Sequence, residues 1–188
     1  MGSGRPMKMR TERLLIRSIQ SDDWSSIQRI WEDQKRSEYA RFDIPHDTES
    51  NAVRQRIEKW ASFADSMEHM FFAVCLNEIL IGYAAFHMRE DGCEMGYCFH
   101  SDYHGKGYAR ESLSALILYI LMLHPGMAIT AGTALENLPS VKLLQALGFR
   151  RIGTERVSFY KDADGRDIFF EGGIFKLAAP AAVPAQLG

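Results

Sequence analysis

The chain has 188 residues, 46% hydrophobic and 24% charged, an ordinary composition for a soluble globular protein with room for a sizeable core in one domain. Its net charge of −2 gives no general reason to expect nucleic-acid binding. No apolar run reaches the roughly 18 residues a membrane span needs, and "MGSGRPMKMR" has no apolar stretch behind it that would make it a secretory signal.

Residues 1–8 are expected to be a disordered start, 9–177 a single domain, and 178–188, "AAPAAVPAQLG" with its small and uncharged residues, a disordered tail. "RLLIRSI" reads as a first strand. A helix follows over "SDDWSSIQRIWEDQ", capped by Ser21 or Asp22, with Trp24, Ile27, Ile30 and Trp31 at helical spacing. A second spans "DTESNAVRQRIEKWASFAD", capped by Asp47 or Thr48, with Val53, Ile57, Trp60, Ala61 and Ala64 as its apolar stripe. "HMFFAVCL" and "LIGYAAFHM" form an antiparallel hairpin, and "CEMGYCFH" is a third strand after the turn "EDG". "SDYHGKG" is a loop, and "YARESLSALILYILML" is a helix with Leu113, Leu116, Ile117, Ile120 and Leu121 inward. A strand "MAITAGTA" and a helix "LPSVKLLQAL" come next, the helix ended by Gly148 in a left-handed cap. Two last strands, "FRRIGTERVSFY" and "RDIFFEGGIFKL", turn at "DADG". The order β-α-α-β-β-β-α-β-α-β-β implies an α/β fold with a mixed sheet and helices on both faces.

Three cysteines, Cys75, Cys93 and Cys98, cannot all pair within the chain and show no CxxC spacing. They read as reduced thiols of a cytoplasmic protein, Cys98 being a small core residue. His46, His69, His87, His100 and His124 are scattered without metal-ligand spacing, so no metal is expected. Gly-x-Ser-x-Gly is absent, and no Ser-His-Asp arrangement can be picked out.

The stretch "YHGKGYARES" carries the chemistry. A helix start has unpaired N–H groups and a positive dipole end, both suited to an anion. Gly105 and Gly107 let backbone N–H groups turn inward and a phosphate approach without a Cβ clash, at Gly105, Lys106, Gly107, Tyr108 and Ala109. Lys106 and Arg110 add charge for further phosphates. The alternative is a plain turn. Neither GxxxxGK[ST] nor GxGxxG is present.

"HGKGYARE" resembles the acyl-CoA loop of the Gcn5-related N-acetyltransferases, Gln/Arg-x-x-Gly-x-Gly/Ala, over His104 to Ala109. "ENLPSVKLLQALGFRRIG" resembles the family's second motif, Asn-x-x-Ser followed by a helix ending Leu-Gly-Phe. "TERLLIRSIQSDDW", "LIGYAAF" and "EMGYCF" resemble the subgroup that acetylates ribosomal-protein N-termini, so the likeness runs from about Met9 to Leu177. The resemblance implies a mixed, mostly antiparallel sheet in which strand Cys93–Phe99 splays from strand Met127–Ala134 to form an acyl-CoA cleft. It implies that the backbone of Tyr97, Cys98 and Phe99 pairs with the pantetheine arm. Gly105 to Arg110 would hold the pyrophosphate, and Asn137 and Ser140 would face the pantetheine or thioester. His104 stands where the family usually has Gln or Arg. It either covers the loop or contacts phosphate with a strength that falls as pH rises.

The implied reaction is acetyl transfer from acetyl-CoA to an amine. An α-amino group, with a pKa of about 7.8, needs little help, whereas a lysine-type amine near 10.4 needs a base. The resemblance would put a Tyr acid where Leu144 stands and, in some relatives, a base where Gly132 stands, so both are missing. Ser140 is the expected replacement acid, with capping of the helix from Leu138 as its structural alternative. Glu94, opening the cleft strand, is the best remaining base; Glu136 and Tyr160 are weaker candidates. Acceptor specificity is expected from "YARFDIPHDTES", where Arg41, Asp43 and Asp47 can read charge, and from the last hairpin. The acceptor is an amine, a protein N-terminus by the subgroup resemblance, with small molecules as the alternative. An acyl-CoA-binding sensor without transferase activity and a phosphate-binding regulatory domain are the rival classes. Homodimers are common in the resembled subgroup, and no residue of the sequence itself indicates one.

Overall fold

The computed structural model describes residues 7–177, so residues 1–6 and the expected tail at 178–188 lie outside the described residues. Eight strands are present among them: β1 (Lys8–Arg10), β2 (Leu15–Ser18), β3 (His69–Leu76), β4 (Ile79–Arg89), β5 (Gly92–Phe99), β6 (Ile129–Ala134), β7 (Arg150–Lys161) and β8 (Asp167–Leu177). The helices are α1 (Trp24–Lys35), α2 (Ser50–Ser62), α3 (Tyr108–Leu123) and α4 (Leu138–Ala146). The strands form one sheet in the order β1-β2-β3-β4-β5-β6-β8-β7. Every neighbouring pair is antiparallel except β5 and β6.

Side chains alternate across the sheet, as the two-residue strand period requires. On one face Phe72, Ala84, Phe86, Cys93 and Met95 pack under Leu113, Leu116 and Ile120 of α3 and Leu144 of α4. On the other, Phe71, Ala73, Tyr83 and Ala85 pack under Ile27, Ile30 and Trp31 of α1 and Val53 and Ile57 of α2. Trp31 is 2% exposed, and its indole N–H donates to the buried Tyr83 hydroxyl at 2.9 Å, so the bulkiest core side chain has its polar atom satisfied.

Four local expectations are corrected. β1 is an added edge strand of three residues that starts at Lys8, inside the segment expected to be a disordered start. Neither Ser21 nor Asp22 caps α1. Residues Ser21–Asp23 form a 3-10 turn in which the Asp23 carboxylate takes the Gln20 N–H at 2.8 Å. The second helix starts at Ser50, not near Asp47, and Glu49 caps it by accepting from the N–H groups of Asn51 and Ala52. That helix stops at Ser62, so Ala64 is not part of its stripe.

Candidate active site

The two middle strands part company almost at once. β5 and β6 run parallel with only two register pairs, Cys93↔Ile129 and Glu94↔Thr130. Beyond them Met95–Phe99 pairs only with β4, and Ala131–Ala134 only with β8. This is the expected splay, and it leaves inward-facing backbone groups of β5 and β6 without a strand partner. Backbone N–H and C=O groups are strong hydrogen-bonding groups, so the opening suits an extended ligand with amide groups of its own.

The loop at the wide end is shaped for an anion. Gly105 and Gly107 both take left-handed backbone angles, with φ of 71° and 81°. Gly107 is the N-cap of the 16-residue helix α3 and offers no side-chain acceptor, so the first-turn N–H groups of α3 are unclaimed by a cap. A Cβ at Gly105 would meet nothing within 4 Å, which leaves the approach to the loop open. The loop's own basic side chains are turned elsewhere in this arrangement. Lys106 donates to the Asp102 carbonyl at 2.8 Å, and His104 Nε2 lies 2.8 Å from the Phe99 carbonyl oxygen. Tyr108 and Ala109 are half-buried at the helix start, and Arg110 is exposed beside them.

A brace that the sequence reading missed sits behind this loop. Arg13, just before β2, donates from Nη1 to the Lys106 carbonyl at 3.0 Å and from Nε to Glu111 at 2.7 Å, and its guanidinium lies 4.6 Å from the Tyr108 ring centre. Glu111 also takes the Thr11 hydroxyl at 2.6 Å and the Arg13 N–H at 2.9 Å. Partial burial pushes the Glu111 carboxyl up, but the donors from Thr11 and Arg13 outweigh it and hold the carboxyl below its ordinary value. Sequence offers no signal for a contact over 93 residues. Arg13→Ala is expected to weaken acetyl-CoA binding about three- to tenfold, a modest loss because Arg13 orders the loop from behind. Titration calorimetry reads this, and an unchanged affinity would mean that the loop holds its shape without Arg13.

Ser140 and Tyr97 meet across the opening. Their hydroxyl oxygens are 2.8 Å apart, one on the splayed strand and one in the first turn of α4. Burial pushes the Tyr97 phenol up to about 12, with the Ser140 hydrogen bond opposing the shift. Tyr97 was expected to contribute backbone alone; its hydroxyl is an addition. The capping role considered for Ser140 belongs to Asn137, whose side-chain oxygen accepts the Ser140 N–H at 3.3 Å. Asn137 therefore orients the turn that carries Ser140.

Glu94 does not join this pair. It lies at the closed end of the splay, three residues from Tyr97 or about 10 Å along the strand, and Arg89 holds it at 2.7 Å. Cys98 and Phe99 line the β5 edge. The Cys98 thiol faces α1, 3.4 Å from Gln34 Oε1, and burial pushes it well above its ordinary value. Phe99 lays its ring over Gly82, where a Cβ would come within 2.2 Å of it.

The loop between α1 and α2 straps over the same region from the α1–α2 face. Arg41 pairs with Glu136 at 2.9 Å, the Tyr160 hydroxyl donates to the Ala40 carbonyl at 3.3 Å, and Phe42 meets Phe170 edge-on at 5.3 Å. The strap thus reaches both the β7–β8 hairpin and the turn before α4. Asp47, by contrast, is exposed and accepts only the Glu49 N–H. Among the described residues no group of three or more His, Cys, Asp or Glu could hold a metal, and no helix is long and apolar enough to cross a membrane.

Comparison with known proteins places this geometry. Residues 13–150 match the acetyltransferase (GNAT) domain family. A Bacillus licheniformis protein called uncharacterized N-acetyltransferase p20 is 30% identical over 161 residues, 83% of this chain and 88% of the relative. The structure of ribosomal-protein-S5-alanine acetyltransferase from Vibrio fischeri superposes with a TM-score of 0.78 at 20% identity, over 93% of this chain and 98% of that one. The RimL ribosomal L7/L12 alpha-N-protein acetyltransferase in complex with coenzyme A also gives 0.78, at 13% identity over 92% and 98%.

Proposed function

The chain belongs to the GNAT acetyltransferase family and is an N-acetyltransferase, and from that premise we propose that it moves an acetyl group from acetyl-CoA to the α-amine of a protein N-terminus. The observation that carries this reading is a single one: a splay between β5 and β6 that opens beside a left-handed two-glycine turn at the start of α3. The residues fit the ligand. The unpaired edges suit the amide-bearing pantetheine arm, and the helix start suits the pyrophosphate. The N-terminal acceptor is favoured by the fold shared with two ribosomal-protein acetyltransferases, one of them an alpha-N-protein acetyltransferase.

Acetyl-CoA supplies a thioester whose carbon an amine attacks directly within a ternary complex. The nitrogen–carbon bond forms, the carbon–sulfur bond breaks, and the proton shed by the amine is matched by one gained at sulfur. An α-amine, with a pKa of about 7.8, is free in part at neutral pH and demands no strong base. The leaving thiol, near 8.5, demands only a modest acid. Ser140 supplies a hydrogen bond to the sulfur in this reading. Tyr97, kept a neutral phenol by burial, donates to Ser140 Oγ and so leaves the serine hydrogen free to point at the departing sulfur. The serine hydroxyl is a weaker acid still than the phenol, so it does not ionise: it stabilises the departing sulfur by its hydrogen bond, and the proton that the amine sheds reaches the sulfur through water. Glu94, engaged by Arg89, is given no step.

Calorimetric titration with acetyl-CoA, with ATP and NAD as controls, tests the cleft; thiol release with peptides, polyamines and aminoglycosides tests the transfer. Selective acetyl-CoA binding with peptide turnover is the expected result. Binding without turnover on any amine would leave an acyl-CoA-binding protein, and turnover on small amines alone would overturn the N-terminal acceptor. Ser140→Ala is expected to lower kcat about ten- to a hundredfold with acetyl-CoA affinity unchanged. Tyr97→Phe should cost several-fold in kcat. An equal loss in binding and turnover would make Ser140 a structural residue.

A further inference from the structure

Four carboxylates among the described residues are not exposed: Asp23, Asp33, Asp43 and Glu111. Three have a basic partner. Asp23 is held by Arg17, Glu111 by Arg13, and Asp33 lies 3.9 Å from His100. Asp43 has none within ion-pair distance among the described residues. Its two oxygens are taken only by neutral donors, the Gln34 side-chain amide and the Ile44 N–H. A half-buried carboxylate without a counter-charge is costly to keep, and its place in the fold suggests what it is kept for.

Asp43 sits in the strap, one residue after the Phe42 that rests on Phe170 and two after the Arg41 that pairs with Glu136. Glu136 immediately precedes Asn137, the residue that orients Ser140. Gln34 ties Asp43 to the splayed strand, because the same amide group that donates to Asp43 offers its oxygen to the Cys98 thiol. Burial raises the pKa of both Cys98 on β5 and Tyr160 on β7, and the negative charge of Asp43 adds to both, as it also acts on Tyr83 and His46 beside α1. The carboxylate is thus bracketed by the two sides of the opening. On this face the floor is kept low: Gly96 on β5 and Gly132 on β6 are exposed, and a Cβ at either would meet nothing within 4 Å.

We propose that Asp43 is the acceptor-recognition residue, binding the incoming amine as its ammonium ion over the low floor between Gly96 and Gly132. The proposal rests on the transferase reading above. It makes the site selective for acceptors that arrive charged. The ammonium donates to Asp43 while it is bound, then loses its proton to water before the nitrogen attacks. Gln34 and the Ile44 N–H fix the carboxylate in place.

The test is Asp43→Asn, which keeps the shape and the Ile44 N–H bond, while the Gln34 amide turns over to accept from the new side-chain N–H. Peptides beginning with Ala or Ser serve as charged acceptors. The same peptides with an aminooxyacetyl group on the N-terminal nitrogen serve as acceptors that are uncharged at neutral pH. The variant should raise KM for the charged peptides roughly ten- to a hundredfold, the usual span for a charge-assisted hydrogen bond. KM for the aminooxy peptides, acetyl-CoA affinity and Tm should stay unchanged. An unchanged KM for the charged peptides overturns the role of Asp43 and leaves the transferase reading standing. An equal rise for both acceptor types also overturns it, since that is what a loss of loop shape would give. If the wild-type protein binds acetyl-CoA but acetylates no charged amine, the proposal and the transfer reading fall together.

Discussion

Gly107→Val should reduce acetyl-CoA affinity at least a hundredfold, or about 2.7 kcal/mol, while the protein stays folded. Two independent effects add at this position. The first is backbone strain. Gly107 has a φ of 81°, and a side-chain-bearing residue there costs roughly 1–2 kcal/mol, more when β-branched. The loop escapes that cost by abandoning the left-handed turn, which turns the α3 N–H groups away from the pyrophosphate. The second is space. A Cβ would lie 3.3 Å from Arg13 Nη2, so the valine methyl groups press on the brace that holds the Lys106 carbonyl. Gly105→Ala separates the two, because its φ of 71° is equally left-handed but its Cβ meets nothing within 4 Å. It should cost about tenfold, the strain alone. Calorimetry on both variants, with circular dichroism to confirm folding, checks the pair. Wild-type affinity in Gly107→Val would remove the loop from the binding site.

Asp23→Ala should cost about 3 kcal/mol of stability without touching the cleft. Asp23 is 8% exposed and forms a two-pronged pair with Arg17, both contacts at 2.7 Å. It also closes the turn into α1 through the Gln20 N–H. The Asp23 hydrogen bond holds the Arg17 guanidinium above its ordinary pKa, against the opposing effect of burial. Losing one partner of a buried pair typically costs roughly 3–5 kcal/mol, because the other charge is stranded. The low end applies here, since the Arg17 side chain keeps 20% of its surface in water. For a domain of this size the Tm should fall by about 6–12 °C. Urea unfolding measures the loss directly, and a change below about 1 kcal/mol would show that solvent reaches Arg17 freely.

Much of the fold could be read from local pattern. The strand over His69–Leu76 and the helix over Tyr108–Leu123 have the expected limits, because turn residues and glycines punctuate them sharply. β1 could not be read, since the alternation of Lys8, Met9 and Arg10 spans only three residues, too few to mark a strand. The cap of α2 was misplaced by one or two positions because "DTES" offers four capping-type side chains in a row, and only the fold chooses Glu49. The site divides in the same way. Gly105, Gly107, Asn137 and Ser140 lie in short motifs whose spacing survives in sequence. Arg13 and the Tyr97 hydroxyl do not, because each acts through a contact made far along the chain. Asp43 was visible as a charge in a loop. Its lack of a counter-ion among the described residues is a property of three-dimensional neighbours alone.

The brevity of the β5–β6 join has a mechanical side. Strands β1 to β5 precede α3 in the chain and β6 to β8 follow it, and the two sets join at the foot of the opening through two register pairs, with the Cys93 N–H on the Ala128 carbonyl and the Thr130 hydroxyl on the Cys93 carbonyl beside them. The sheet is therefore two stiff plates sharing a short hinge, with α3 and α4 packed across it. A substrate lying in the opening acts as a rivet between the plates. Its binding energy becomes resistance to shear and heat for the entire molecule, about 2.7 kcal/mol when it is present at a hundred times its Kd. Product release would loosen the plates again, so each turnover would pass the protein through its softest state.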